Sequence, residues 1–299
     1  MKLAYAFLCL SVVVLLPARL VAQSSDEYWM PGSVVSDEAR TPEAERPHTP
    51  LSAALEFGLT SRSDDRSELW VLSPVASVAY RLHERWALSL DWGFAIAIEA
   101  PVAGDNESRV GSGNPMLSAV HRLSALERNR FDVWLGATAP LAWLADGTKR
   151  GFSRAMYAHA LATRGLWNAW LWAPEQIALA SGVTWAFRPP GDVRLRAEGA
   201  LGVTLPLDDV TQDTADLFVQ LAFAAELSGG PLAFGLRLQS VLMTADSDPL
   251  QLAIVPYARA NFDAWAVGLR WVINLDEPLG FVGAGLDAWG LLFSLEVTP

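Results

Sequence analysis

From Leu51 to its end the chain alternates between apolar side chains and small or polar ones, over one stretch of ten or so residues after another. In "WALSLDWGFAIAIEA", Trp86, Leu88, Leu90, Trp92, Phe94, Ile96 and Ile98 fall on one side, and Ala87, Ser89, Asp91, Gly93, Ala95, Ala97 and Glu99 on the other. A side-chain period of two marks a β-strand whose faces meet different surroundings. In "VRLRAEGALGVTL", Val193, Leu195, Ala197, Gly199, Leu201, Val203 and Leu205 oppose Arg194, Arg196, Glu198, Ala200, Gly202 and Thr204. "WAVGLRWVINL" repeats the pattern. Twelve strands are predicted, at about 51–60, 69–82, 86–100, 114–122, 131–142, 176–187, 193–207, 217–227, 232–244, 250–260, 264–275 and 286–297. The segment 114–122 has no cleanly apolar face.

The connections select the architecture. They alternate long and short: "SRSDDRSE", "HER", "PVAGDNESRVGSG", "LSALERNR", a stretch of about thirty residues, "RPPGD", "DDVTQDTAD", "SGGP", "TADSDP", "NFD" and "DEPLGFVGAG". Tight turns at one end and longer loops at the other are the habit of a transmembrane barrel, with turns periplasmic and loops external. The expected fold is therefore all-β, an antiparallel up-and-down transmembrane β-barrel of about 12 strands. Trp86, Phe131, Trp185, Phe187 and Trp265 sit beside short turns on outward positions and Trp289 at the other edge, where amphipathic rings favour a membrane interface. A soluble β-sandwich is the competing fold, but its core would have to absorb 13 tryptophans.

Residues 1–22 read as a signal peptide: Lys2, the apolar run "LAYAFLCLSVVVLL", Pro17, then Ala22 before "QSSDE". A transmembrane anchor is the alternative, although the run is short of the ~20 residues a spanning helix needs. Residues 23–50, acidic and rich in Pro and Ser, read as a flexible periplasmic lead or a segment inserted into the lumen, and 51–299 as the barrel. The only cysteine, Cys9, lies in the leader, so disulfides and thiolate chemistry are not expected of the mature chain. A net charge of −11 argues against nucleic acid as a partner.

The last strand, "GLLFSLEV", has Gly290, Phe293 and Leu295 at the spacing of the signal read by the barrel-assembly machinery, although the chain ends in "TP" and Ala288 replaces a polar residue. With this signal the sequence resembles a Gram-negative outer-membrane β-barrel protein. "GSGNPMLSAVHRL" with "FDVWLGATAPLA" is further similar to uncharacterised transporter-like barrels of the phenol-degradation type, a likeness that carries over no functional residue. The resemblance implies outer-membrane lipid and the assembly machinery as partners, and a small-molecule solute of unknown identity.

Arg81, Asp91, Asp132, Arg194, Arg196, Glu198, Glu226, Arg237, Arg259, Arg270 and Glu296 lie on inward positions in the periplasmic halves of their strands. The external halves of the same faces carry Ala95, Ala97, Ala200, Gly202, Thr204, Gln220, Ala222, Val241, Met243 and Ala253. The expectation is a belt of mixed charge below a less polar upper chamber. The belt is read either as structural pairing of Arg with carboxylates or as a selectivity constriction.

The loop from about Trp143 to Glu175 exceeds an ordinary connection. Within it "SRAMYAHALATRG" predicts a helix with Ser153 as N-cap and Gly165 at its stop. It is the third external loop, which in general porins often folds inward; a surface lid is the alternative. Trp167, Trp170 and Trp172 could line a binding mouth or lie at the lipid interface.

Catalysis is not expected. Ser118, His121 and Asn114 are the one grouping reminiscent of an outer-membrane phospholipase, but all stand on one short segment. No histidines have metal-ligand spacing, and no cofactor is implied. The predicted function is an outer-membrane channel or transporter for small solutes, apolar ones included. The alternative is a plugged structural or adhesive barrel.

Overall fold

A computed structural model describes residues 51–63, 67–101, 106–126, 128–207, 215–244, 250–262, 264–276 and 289–297. The signal peptide and periplasmic lead expected at 1–50 lie outside them.

Thirteen strand segments follow one another: β1 (Leu51–Ser63), β2 (Ser67–His83), β3 (Trp86–Pro101), β4 (Glu107–Ser112), β5 (Met116–Leu126), β6 (Asn129–Thr138), β7 (Gln176–Phe187), β8 (Val193–Pro206), β9 (Asp216–Gly229), β10 (Leu232–Met243), β11 (Leu250–Asn261), β12 (Trp265–Asn274) and β13 (Trp289–Val297). One helix, α1 (Arg150–Ala162), lies between β6 and β7. Apart from β4 and β5, which both pair with β3, each strand pairs antiparallel with its chain neighbours, and β1 meets β13 from Ala53↔Val297 to Leu59↔Leu291, which closes the sheet. The chain forms a closed antiparallel barrel with 12 wall positions, the fold class the alternation predicts.

Thirteen segments fill twelve positions because β4 and β5 share one. The lower half of β3 pairs with β5 (Trp86↔His121 to Asp91↔Met116) and its upper half with β4 (Phe94↔Ser112 to Glu99↔Glu107). Between them Gly113, Asn114 and Pro115 interrupt the ladder, and Pro115 has no N–H to offer it. The strand predicted at 114–122 is thus displaced, and "ESRVGS", assigned to a loop, is strand. Its composition gives no apolar face to count.

Side chains obey the predicted register. Leu135, Leu221, Leu227, Phe234 and Trp271 are exposed on the outer surface, whereas Ala95, Ala97, Phe218, Val241 and Val255 are buried inside. Such an apolar exterior belongs against hydrocarbon, and closure leaves no strand edge for lipid to meet except where the wall is interrupted. At the short-turn end Trp86 packs on His121 with ring centroids 4.3 Å apart, Trp185 stacks on Phe187 at 5.8 Å, and Phe262 stacks on Trp265 at 3.9 Å. Phe131 is the cross-strand partner of Trp185, and Trp289 opens β13 at the opposite end.

Candidate functional site

The inward faces enclose a lumen, and the segment between β6 and β7 turns into it. Beyond Thr138 the ladder ends but burial still alternates, with Leu141 and Trp143 exposed and Ala142 and Leu144 buried. A 3-10 turn at Gly147–Lys149 leads into α1. Ser153 lies inside this helix instead of capping it: its hydroxyl accepts from the Ala145 N–H at 3.1 Å and donates to the Lys149 carbonyl at 3.1 Å. The preceding turn supplies the helix start, so Ser153 serves to tie it back to the incoming strand. The helix stops as predicted, before Gly165 at φ +59.

The turn that follows crosses the lumen. A helix end leaves its last carbonyls without intrahelical donors. Here the wall supplies them: Gln239 Nε2 donates to the Arg164 carbonyl at 2.7 Å, Gln220 Nε2 to the Leu166 carbonyl at 3.4 Å and Asn274 Nδ2 to the Ala162 carbonyl at 3.4 Å. Glycines clear the path. A Cβ at Gly93 would lie 2.6 Å from the Trp172 ring, and one at Gly290 would strike the Thr163 backbone. Trp170 packs between Trp134 and Phe218, with centroids at 5.9 and 5.2 Å. The small apolar residues expected to line an upper chamber are instead the seat of this loop. Ala95, Ala97, Ala180 and Ala200 belong to one buried cluster with Met156, Tyr157, Trp170 and Trp172.

Two groups latch the loop. Arg164, with only 6% of its side chain exposed, pairs with Glu56 of β1 at 2.9 Å, donates to the Ser73 hydroxyl at 2.8 Å and carbonyl at 2.9 Å, and lies over Trp172. Asn114, fully buried at the break in the wall, accepts from the N–H groups of Leu141 and Ala142 at 2.9 and 2.8 Å. Its amide donates to the carbonyls of Trp170 and Ala173 at 3.2 and 2.6 Å. Above it Tyr157 donates to the Ser112 carbonyl at 2.9 Å. Among the described residues β4 pairs with β3 alone, so side chains replace a ladder along its second edge.

Below the loop the predicted charged residues line the lumen. Arg194 meets Glu226 at 3.4 Å, Arg196 and Arg237 meet Glu198 at 2.8 and 2.6 Å, and Arg259 meets Glu296 at 2.8 Å. Arg270 pairs with Glu56. Asp132 takes Arg130 at 2.6 Å, with Arg122 at 3.6 Å. Asp91 accepts from the Ser77 hydroxyl at 2.5 Å, and Arg81 is half-buried on β2. Pairing across strands predominates. Residues of the belt and the underside of the loop, Glu56, Asp91, Arg164, Trp167, Arg237, Arg270 and Glu296 among them, border a small, partly open chamber.

Sequence reasoning missed Glu56, Arg164 and the latching role of Asn114. Glu56 had a signal, since it stands alone among outward Ala53, Leu55, Phe57 and Leu59 on an inward position of β1. Gln220, counted among neutral residues of the upper face, grips the loop. The phospholipase-like grouping does not converge: Ser118 is buried on the lumen side, His121 stacks on Trp86 outside, and Asn114 is spent on the loop. No group of three or more His, Cys, Asp or Glu placed to hold a metal occurs among the described residues.

No protein-family model matches the sequence, and no curated protein matches it. Solved structures do. The chain is similar to an outer-membrane channel from Pseudomonas putida F1, with a TM-score of 0.58 at 12% identity over 87% of this chain and 99% of that one. It is also similar to the NanC porin, with a TM-score of 0.50 at 7% identity over 82% of this chain and 100% of that one. At these identities the likeness is one of fold: the chain shares the closed antiparallel β-barrel of these outer-membrane proteins.

Proposed function

We propose that this barrel is an outer-membrane channel for small solutes whose axis is held shut by the 139–175 loop. The observation that carries the reading is the way the lumen is closed. One connection crosses it, latched by Arg164 and Asn114, above a small chamber that the wall leaves unfilled. A single loop held by side-chain contacts can be displaced without breaking the strand ladder. The charge belt then meets a solute only after the loop yields or the solute enters from the short-turn end. For apolar solutes the interrupted wall is a second route. There Val110, Leu141 and Trp143 face outward beside the β4 edge, where hydrogen bonds from Asn114 and Tyr157 stand in for a ladder.

In this reading the leader directs secretion and the last strand is read by the assembly machinery. The plugged structural barrel has one observation in its favour, the paired state of the belt. Solute uptake into proteoliposomes separates the two. A channel admits small solutes faster when the latch is weakened by Glu56→Gln, whereas a structural plug leaves the vesicles tight in both forms.

A further inference from the structure

Asp91 stands apart from the other carboxylates that border the chamber. Glu56 is shared by Arg164 and Arg270, and Glu296 is taken by Arg259. Asp91 has one partner, the neutral hydroxyl of Ser77, and no ion pair among the described residues. It is 5% exposed, and it borders the chamber. A carboxylate so placed has given up most of its water, and one hydroxyl replaces little of it. Side chains on the wall around it do not complete the set of donors.

The chamber offers the rest of a site. Six wall positions away from β3, on the opposite side of the lumen, Arg237 is committed to Glu198 and Gln239 and lies 4.2 Å from the Trp167 ring. The positive groups of the chamber are therefore already engaged, and Asp91 is the charge left to answer. Among these polar groups the chamber lining also carries apolar side chains, Val75, Leu171, Val255, Val272 and Leu292.

We propose that the chamber is a binding site for a small organic ammonium ion with an apolar body. Its N–H groups hydrogen-bond to Asp91, and its hydrocarbon lies against Leu171 of the loop and the valines of the wall. The inference rests on the channel reading for its physiological meaning, since it names the class of solute, but the site itself is tested without transport. A ligand seated there touches the underside of the loop through Leu171, so binding and loop position are linked.

The test uses the full chain in detergent, titrated with benzylammonium, benzyl alcohol and benzoate, and read by calorimetry and by the fluorescence of the lumen tryptophans. Benzylammonium is expected to bind at least tenfold more tightly than the other two. Asp91→Asn, which keeps the size and the Ser77 contact, should remove that preference, and Ser77→Ala should retain it. Equal binding of the alcohol, or a preference unchanged in Asp91→Asn, overturns the proposal. A third result bears on the channel alone: an Asp91-dependent ammonium site in a protein whose vesicles take up no solute upholds the site and removes the channel reading. Uptake without ammonium preference does the reverse.

Discussion

Replacing Asn114 by Ala should free the loop while leaving the barrel standing. The side chain is fully buried and makes four hydrogen bonds, all to backbone groups: two N–H groups at 2.8 and 2.9 Å and two carbonyls at 2.6 and 3.2 Å. Stranding a buried polar group costs about 1–3 kcal/mol. Water reaching the vacated space satisfies part of the set, so the expected loss is about 3 kcal/mol for the seat of the loop, set by the two shortest bonds. None of the four partners belongs to a strand-to-strand ladder, so the loss falls on local opening and not on global unfolding. Amide exchange reads this directly: protection at Leu141, Ala142 and the 162–172 turn should fall about a hundredfold, since each 1.4 kcal/mol is a factor of ten. Protection in β8–β11 should be unchanged. Loop protection equal to wild type would refute the reasoning, because the knot would then be incidental to the seat.

Other predictions follow from the same contacts. Glu56→Gln leaves the buried Arg164 and Arg270 without their shared carboxylate, a change of the kind that costs about 3–5 kcal/mol. Proteolytic nicking of the loop in the purified protein should rise accordingly. Gly93→Val should displace Trp172, whose ring would stand 2.6 Å from the new Cβ, and so shift the tryptophan emission to the red. Leu221→Arg on the lipid face, 56% exposed, should lower barrel stability in bilayers by about 2–4 kcal/mol, measured by unfolding in urea. Burial, with Arg62 nearby, holds His159 below the ordinary imidazole range, whereas in a released loop it titrates near about 6.5. The seated state is thus favoured above about pH 6.5 and loses that contribution as pH falls toward the depressed value. The protection factors of the loop amides should therefore fall on acidification from about pH 7 to pH 5, and less so in His159→Gln.

The alternation carried the strands and their register, and the long and short connections the barrel, because lipid on one side and a lumen on the other impose opposite demands on successive residues. Asp91 and Glu99 stand in an apolar stretch since their side faces inward. Where one face lacks that contrast the signal weakens: "ESRVGS" meets the loop and an interrupted wall, and reads as a turn. The loop's position was open for a different reason. Its contacts are with residues far away in sequence, Arg164 with Glu56 and Ser73, and Gln239 with the helix end, and no local pattern encodes them. The small residues of the upper face were visible, but small residues describe an empty chamber and a tight seat equally well.

Single-channel conductance in a planar bilayer, comparing wild type with the Glu56→Gln, Asn114→Ala double variant, tests most directly whether the inward loop closes this barrel. The account predicts a near-silent wild type and discrete, frequent openings in the variant, suppressed again when Gly58→Cys and Thr163→Cys tether the loop to β1. Large steps in wild type, or openings that persist with the tether oxidised, would contradict it.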